Sequence, residues 1–486
     1  MRMTWRHRTR PPSTGATGDA RDADDGVSTD PEAALVVARL HTFTHGISRD
    51  PAFTARLRVE LMLAHRQRAR RRLPPRLMRK GWRPLLIVAL LSFGGGVAAT
   101  RVLPQSPRTA PLERTVPVGQ NPALVVVAPR IGRAFVANQG SYADTSTGGT
   151  VSVLDTATGQ VLRTVPVGWA PVDAAIDTRT RRVFMVNSYM KNTFNRATGT
   201  VSVLDATSGR VLRTIDVGRL PAAVAVDEQA GRVFVLNALN GGVSVLDATS
   251  GRVLRTIPLG RHDYPLVLSR GTLALDTRRG HGFALVADTN GGTMPVRTGV
   301  AMFDTRRGTL LRTLRVGRFA QQVVVDEATG RAFVASSNCG ASGAATVVNL
   351  CVGVLDAATG RLIRTITDAS SPLVVDQQRG RVFVASGNRV SVLDGRSGRR
   401  IARSGPLVAS SDTLPQAVDG RTGRVLVTCW GPVAGHGSLV VLDGATGAMV
   451  RRVTIATAGA PAAVDEHMGQ AFVLNNGTVS IIDLPR

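Results

Sequence analysis

The sequence predicts an all-β fold of repeated units, and three observations support this. Four short elements recur between residues 112 and 486 at intervals of about 38–57 residues, which is typical of a repeat architecture. Each element alternates apolar and polar residues or is rich in β-branched residues, as strands are. The composition, with 51 glycines, 25 prolines and 4% aromatic residues, favours tight turns over long helices. Four strands per repeat, stacked radially, predict a β-propeller.

The first two strands of each repeat have recognisable patterns. The innermost strand ends in an aspartate, as in Ala-Val-Ala-Val-Asp227. The second strand has the pattern Gly132-Arg-Ala-Phe-Val-Ala-Asn138. Its seven further copies are centred on Phe184, Phe234, Phe283, Phe333, Phe383, Leu426 and Phe472. The second strand therefore occurs eight times.

The third and fourth strands complete the unit. The third has the pattern Val151-Ser-Val-Leu-Asp155, and its copies end at Asp205, Asp247, Asp304, Asp356, Asp394, Asp443 and Asp483. The fourth, Val161–Gly168, has a copy at Leu112–Gly119 before the first full repeat, whereas the last repeat lacks one. We therefore expect the N-terminal strand to complete the last blade and close the ring, which removes exposed sheet edges. The count predicts eight blades, and seven is the alternative if one degenerate repeat is not a blade.

Two repeated polar residues have a structural explanation. The Asp residues that end the strands precede glycine-containing turns, in which a carboxylate accepts backbone N–H groups and glycine takes a positive φ. We therefore interpret them as turn residues rather than as metal ligands or catalytic groups. The arginine of the Leu-Arg-Thr element lies on the outermost strand. It is predicted to form a solvated edge, with contact to anionic lipid or wall polymer as the alternative; its copies are Arg163, Arg213, Arg255, Arg312 and Arg364.

The repeat resembles the YVTN-type β-propeller repeat of bacterial proteins. The resemblance is carried by Gly231-Arg-Val-Phe-Val-Leu-Asn237, Val243-Ser-Val-Leu-Asp247 and Val253-Leu-Arg-Thr-Ile-Pro-Leu-Gly260. It covers residues 112–486, with Phe in place of the family's usual Tyr and Ala, Leu or Met in place of its Thr. The resemblance implies a propeller of the kind found in surface-layer proteins and in secreted or anchored bacterial proteins. It implies no particular activity.

The chain before the repeats begins with two predicted segments that precede an apolar one. Residues 1–30 are polar and predict a disordered tail. Asp30-Pro31-Glu32 and Asp50-Pro51 are helix-start signals, and each is followed by apolar residues at helical spacing. Residues 31–83 are therefore predicted to form a small, basic, helical segment.

Residues 84–103 are predicted to be a transmembrane helix. No charged residue occurs between Arg83 and Arg101, and a span needs about 20 apolar residues, with about 17 as the lower limit. Basic residues cluster before this segment, so the positive-inside rule places the N-terminus in the cytoplasm and the propeller outside the cell membrane. Residues 104–111 form a linker. The alternative is a secretory leader cleaved after Val97-Ala98-Ala99.

Charge and cysteine content limit the partners. The net charge is +26, which suits an anionic partner but also suits a chain that uses arginine for solubility. Without an aromatic-interleaved basic motif, the exported domain is not predicted to bind nucleic acid. Cys339 and Cys351 bracket one long loop, and an oxidising exterior would favour a disulfide between them. Cys429, at a strand end, is predicted to be a buried free thiol.

The candidate binding site is one face of the propeller. By propeller topology, the connections between the second and third strands share a face with the connections between blades, and we call this side the loop face. Several of these connections are long, and they carry most of the scarce aromatic residues. Elaborated loops on a rigid scaffold are where binding usually occurs. The candidate ligand-binding residues are Tyr142, Asp144, Trp169, Tyr189, Asn192, His262, Asp263, Tyr264, Asp288, Asn290, Trp430 and His436.

The function predicted first is a membrane-anchored, extracytoplasmic binding scaffold that presents its loop face to a protein, a glycan or an anionic cell-envelope polymer. In a variant of this interpretation the protein is a sensor, with residues 31–72 relaying to a cytoplasmic partner. The alternative is a propeller enzyme of the lactonase or quinoprotein oxidoreductase type. No catalytic motif and no metal-ligand spacing occurs among the propeller's histidines. We therefore predict no catalytic residue, no metal and no cofactor.

Overall fold

A computed structural model describes residues 113–140, 148–189, 198–239, 242–260, 271–288, 297–337, 350–408, 413–430, 436–457 and 459–485. Within these ranges every regular element is a β-strand, and there are 32 of them. None of the described residues forms a helix long and apolar enough to cross a membrane. The predicted tail, helical segment, transmembrane helix and linker lie outside the described residues.

The strands of the first half follow the repeats in order. They are β1 (Glu113–Pro117); β2 (Pro122–Ala128), β3 (Arg133–Asn138), β4 (Thr150–Asp155) and β5 (Val161–Pro166); β6 (Trp169–Asp177), β7 (Arg182–Tyr189), β8 (Thr198–Asp205) and β9 (Val211–Arg219); β10 (Pro221–Asp227), β11 (Arg232–Asn237), β12 (Gly242–Asp247) and β13 (Val253–Pro258); and β14 (Leu273–Asp276), β15 (His281–Asp288), β16 (Arg297–Asp304) and β17 (Thr309–Leu314).

The second half continues in the same way. Its strands are β18 (Phe319–Asp326), β19 (Arg331–Ser337), β20 (Leu350–Asp356) and β21 (Leu362–Thr367); β22 (Ser370–Asp376), β23 (Arg381–Ser386), β24 (Arg389–Asp394) and β25 (Arg400–Arg403); β26 (Thr413–Asp419), β27 (Arg424–Trp430), β28 (Gly437–Asp443) and β29 (Met449–Ile455); and β30 (Ala462–Asp465), β31 (Gln470–Leu474) and β32 (Thr478–Asp483).

These strands form eight antiparallel four-stranded sheets, which confirms the predicted all-β propeller and its count of eight blades. Blade 1 is β2–β5, blade 2 is β6–β9, and so on in groups of four to blade 7, which is β26–β29. Blade 8 contains β30, β31, β32 and, as its outer strand, β1. β1 pairs antiparallel with β32, from Glu113 opposite Ile482 to Pro117 opposite Thr478.

The hydrophobic core lies between the blades. There are eight clusters of buried residues, and each joins two neighbouring blades. One cluster, for example, packs Phe472 and Ile481 of blade 8 against Val125 and Leu154 of blade 1. In seven blades, the phenylalanine of the second strand fills this interface and is at most 1% exposed. Blade 7 is the exception and has Leu426 at this position. All eight clusters lie within residues 113–485.

The turns explain the repeated aspartates. In the turn after β8, Asp205 accepts the backbone N–H of Ser208 at 2.6 Å through Oδ1, and Gly209 donates to the Asp205 carbonyl at 2.8 Å with a φ of 69°. Glycine is needed there because other residues are strained at positive φ. The corresponding carboxylates accept backbone N–H groups in the same way, among them Asp155, Asp247, Asp356, Asp394 and Asp443. The prediction that they are turn residues is confirmed.

The strand directions define two faces. The turns from first to second strand and from third to fourth strand lie on one side of the ring, which we call the turn face. The loop face is opposite, as predicted from the topology. The turns are tight and wholly described, whereas parts of most loop-face connections lie outside the described residues.

Candidate functional site

Five of the twelve predicted site residues belong to the described part of the loop face. Tyr142, Asp144, Asn192, His262, Asp263, Tyr264 and Asn290 lie outside the described residues. Trp169 begins β6 and is opposite Tyr189, the last residue of β7. Asp288 ends β15, and Trp430 ends β27 opposite Gly437. These residues belong to blades 2, 4 and 7, so the described strand ends place them at separate points of the face.

Trp430 has the best-defined surroundings of the five. Its side chain contacts the connection between β29 and β30, where a Cβ on Gly459 would lie 2.9 Å from the indole Nε1. Gly459 therefore leaves room for the ring, and its φ of 64° also favours glycine. Trp430 is 36% exposed, and His436 beside it is exposed. An indole that packs against Gly459 on one side and is open to solvent on the other is suited to contact an apolar or amphipathic group.

A buried polar clamp supports the base of the loop face in four blades. Asn187, at the end of the second strand of blade 2, donates through Nδ2 to Thr200 Oγ1 and Ser202 Oγ, both at 3.0 Å. Equivalent bonds join Asn237 to Ser244 at 2.9 Å and Asn475 to Ser480 at 3.0 Å. Blade 1 has the same clamp from Asn138. The clamp fixes the two strand ends from which each loop leaves.

A second set of polar residues links the inner strands near the loop face. Asp173 in β6 accepts the backbone N–H of Val224 in β10 at 3.0 Å. Gln322 in β18 bonds both backbone groups of Leu373 in β22, donating to the carbonyl at 3.0 Å and accepting the N–H at 2.6 Å. Sequence reasoning missed these residues. The signal was present, because Asp173 and Gln322 are polar residues within strands whose other residues, apart from Gln321 and the terminal aspartates, are apolar.

One cavity is bordered by the inner strands of four blades, and its lining residues are mostly aliphatic. It has a volume of about 340 Å³ and is lined by inner-strand residues of blades 1, 2, 7 and 8. These include Val126, Ile176, Val418 and Val464, and the polar side chain among them, Gln416, donates to Thr428 Oγ1 at 3.0 Å. No carboxylate, histidine or thiol belongs to this lining. Within the described residues, no group of three or more His, Cys, Asp or Glu side chains could hold a metal ion.

The arginines of the outer strands add to one expectation. Arg255 was expected to form a solvated edge, and it also donates to the carbonyls of Thr305, Arg306 and Arg307 in the next blade at 3.0, 2.7 and 3.1 Å. Arg213 bonds the Ser250 carbonyl in the same way. Arg114 and Arg451 on outer strands, and Arg133, Arg182 and Arg331 on second strands, also bond carbonyls of the next blade. Of the five arginines predicted to form a solvated edge, Arg213 and Arg255 thus also link two blades, because turn carbonyls of the neighbouring blade lie within reach of the guanidinium.

Two groups of ionisable residues have altered acidity. The pKa of Asp443 is lowered, chiefly by the backbone N–H of Thr446, and that of Asp155 by the backbone N–H of Thr158. Burial raises the pKa of Cys429 to about 11, so its thiol is protonated at neutral pH. Cys429 is buried and free, as predicted.

Of the two cysteines in the predicted disulfide, only Cys351 belongs to the described residues. Cys351 is fully buried in β20 and takes part in a disulfide. Cys339 lies outside the described residues, so its pairing with Cys351 stays a prediction.

Comparisons with known proteins define the class but not the activity. No family model matches the sequence, and a search of curated proteins finds no match. Among solved structures, the chain is similar to BamB from Moraxella catarrhalis, with a TM-score of 0.53 and 15% identity over 76% of this chain and 98% of that one. It is also similar to hydrazine synthase of Kuenenia stuttgartiensis, with a TM-score of 0.48 and 15% identity over 75% and 96%.

The protein is therefore an eight-bladed β-propeller of four-stranded antiparallel blades. At 15% identity the similarity to BamB shows the fold alone, and the weaker similarity supports no argument. The resemblance to the YVTN-type repeat stays a prediction from the residues.

Proposed function

We propose that the protein is a membrane-anchored, extracytoplasmic scaffold that binds a protein partner on its loop face. The observation that carries the proposal is the contrast between the two faces. The turn face consists of tight turns of a few residues each. The loop face presents Trp430 on a rigid base, next to connections that are long in sequence. Partly exposed tryptophans are frequent anchors of protein interfaces.

The direction of β1 shows at which face the chain enters the propeller. Glu113 pairs with Ile482, next to Asp483 at the turn face, so the chain enters blade 8 from that face. The predicted linker of residues 104–111 reaches at most about 28 Å. The linker would therefore join the propeller at its turn face.

Crosslinking at matched positions on the two faces tests the proposal. A photoreactive aromatic residue is placed at Trp430 or His436 on the loop face, and at Met468 or His467 on the turn face. Trp430 and Met468 are similarly exposed, at 36% and 42%, and both histidines are exposed. We expect one discrete adduct from the loop-face positions in intact cells. Equal adducts from both faces, or adducts from the turn face alone, would contradict the proposal.

A loop exchange tests the same idea without a new chemical group. Residues 139–149 are replaced by residues 238–241, the short connection of blade 3. Both connections leave from clamped strand ends, Asn138 opposite Thr150 and Asn237 opposite Gly242, so the fold should persist. We expect at least one of the equivalent exchanges in blades 1, 2, 4, 5 and 7 to abolish the adduct while the midpoint of thermal unfolding is unchanged. An adduct that survives every exchange would remove the loops from the proposal.

The anchor is tested separately. Deletion of residues 84–103 should release the protein from the membrane fraction, whereas the full chain should resist extraction at alkaline pH. A mature N-terminus at residue 100 would favour the cleaved leader instead. No observation among the described residues favours the lactonase or quinoprotein alternative.

A further inference from the structure

A cleft lies at the perimeter between blades 5 and 6. It has a volume of about 390 Å³ and is lined on one side by Arg364–Thr367 of β21 and by Asp368, which follows that strand. Ser391 of β24, the turn residue Arg399 and Arg400, the first residue of β25, form the other side. Three arginines and one aspartate therefore line it.

The cleft exists because blade 6 departs from the repeat. Its outer strand β25 has four residues, against six in β5 and β13. In blade 3, a Cβ on the turn glycine Gly251 would meet Ile215 and Arg213 of the preceding blade at 2.8 and 2.9 Å. At the equivalent Gly398, the nearest atoms belong to Val354 of β20, the third strand of blade 5, and Gly209 meets Val153 of β4 in the same way. The turn of blade 6 thus packs against β20, and the cleft lies between this turn and the outer strand β21.

The arginines of the cleft have no partner in the described part of the chain. Arg364 occupies the same motif position as Arg213 and Arg255, which latch onto the next blade. Arg364, Arg399 and Arg400 are exposed, and no hydrogen bond or ion pair of their side chains occurs among the described residues. Their guanidinium groups are free to bind an incoming ligand.

Ser391 is a second, independent sign of a binding site. It is 3% exposed, yet its Oγ has no hydrogen-bond partner in the described structure. The equivalent Ser202 and Ser244 are bonded by the asparagine of the clamp. Blade 6 has Ser386 in place of that asparagine, and Ser386 donates to the Asp368 carbonyl at 2.7 Å instead. A buried hydroxyl without a partner is costly, and a ligand in the cleft would satisfy it.

We propose that this cleft binds an organic anion, with its phosphate or carboxylate group held by Arg364 and Arg399 and bonded by Ser391. Planar guanidinium groups match the oxygen pairs of both anions. The volume is within the range of small-molecule sites and leaves room for a sugar-sized body beside the anionic group. Asp368 is the one acid in the lining, so positive charge predominates. This site is on the perimeter and does not depend on the loop face.

The test compares two double variants of the full chain in a neutral detergent. Glucose 6-phosphate, inorganic phosphate and glucuronate are titrated at constant ionic strength, with binding measured by calorimetry. Arg364→Gln/Arg399→Gln should weaken binding at least tenfold, because two charge-assisted contacts are lost. Arg163→Gln/Arg312→Gln removes two perimeter charges that are also without a partner among the described residues, and it should change affinity less than twofold.

A third variant separates ligand binding from folding. Ser391→Ala removes a hydroxyl that is unsatisfied without ligand, so thermal stability should be unchanged or higher while affinity falls several-fold. Tighter binding of glucose 6-phosphate than of inorganic phosphate assigns an organic phosphate, and preference for glucuronate assigns a carboxylate. The proposal is overturned if no probe binds saturably below about 10 mM, a free energy of about −2.7 kcal/mol. It is also overturned if both double variants lose affinity equally.

Discussion

The asparagine clamp beneath the loop face requires glycine at Gly218 for steric reasons, although the backbone φ there would allow other residues. Gly218, at the end of β9, has an ordinary φ, but a Cβ built on it would lie 2.4 Å from Cγ of Asn237. That distance is about 1 Å inside normal contact. Asn237 is 1% exposed and bonded to Ser244 Oγ at 2.9 Å, so it has no free space to move into. Gly218→Ala is therefore expected to destabilise the propeller by displacing the asparagine.

The size of the destabilisation follows from two unfavourable contributions and one favourable contribution. Overpacking of a close-packed site costs about 1–3 kcal/mol. Loss of the bond from Asn237 to Ser244 adds about 0.5–1.5 kcal/mol. Replacement of glycine by alanine at an ordinary φ stabilises the protein by about 0.4–1 kcal/mol, because it lowers the conformational entropy of the unfolded chain. The net loss in the free energy of unfolding is expected to be about 0.5–4 kcal/mol.

A double-mutant cycle in residues 104–486 measures whether the asparagine is the cause. Blade 6 provides the second change, because its equivalents of Gly218 and Asn237 are Ala369 and Ser386, so a Cβ is tolerated where the asparagine is missing. In the Asn237→Ser background, Gly218→Ala should cost less than about 0.5 kcal/mol, so the coupling energy should account for most of the penalty measured in the wild type. Gly405→Ala is the control, because nothing lies within 4 Å of its added Cβ.

Urea unfolding followed by tryptophan fluorescence gives all four free energies. An equal penalty for Gly218→Ala with and without Asn237 would refute the steric explanation. A penalty at Gly405 as large as that at Gly218 would mean that any alanine destabilises these connections.

Three further predictions concern charge and acidity. Arg255→Gln should lower the free energy of unfolding by about 1–3 kcal/mol because it removes three bonds to turn carbonyls, whereas Arg312→Gln should stay within about 0.5 kcal/mol in the same urea titration. Because the folded-state pKa of Asp443 is lowered, its contribution is present above the unfolded pKa of about 3.9 and is lost as the pH falls through the folded value. Asp443→Asn should therefore flatten the decline in stability below about pH 4, measured by unfolding at a series of pH values. Cys429, with a pKa of about 11 and a buried side chain, should resist alkylation by iodoacetamide at pH 8 in the native protein and react after unfolding, as followed by mass spectrometry.

The blade pattern was predictable from the sequence because it depends on local rules. A buried phenylalanine such as Phe234 sits in the middle of a period-two strand, and Asp205 and Gly209 mark a turn by their own backbone chemistry. Each signal occurs once per repeat, so eight copies reinforce one interpretation. The blade count followed from the same redundancy.

Contacts between blades were not predictable in this way. Arg255 reaches carbonyls about 50 positions later in the chain, and no local pattern shows that those carbonyls are unpaired. The cleft at blade 6 has the same origin, because it results from a short β25 and from the replacement of an asparagine by Ser386. Both changes were visible in the sequence as a degraded repeat, but their consequence depends on the neighbouring blade. The loop-face residues stay predictions because most of them lie outside the described residues.

The meaning of the net charge of +26 depends on how the arginines are used. A guanidinium that donates to turn carbonyls, as Arg255 does, is committed to the fold and has few donors left for a ligand. An anionic partner should therefore engage the arginines that make no such bond, which among the described residues include Arg163, Arg312 and Arg364. Arg364 differs from the other two in its surroundings, because Arg399, Arg400 and the unsatisfied hydroxyl of Ser391 line the same cleft. Anion binding by this propeller should therefore be saturable and confined to one interface, rather than spread around the perimeter as the charge alone would suggest.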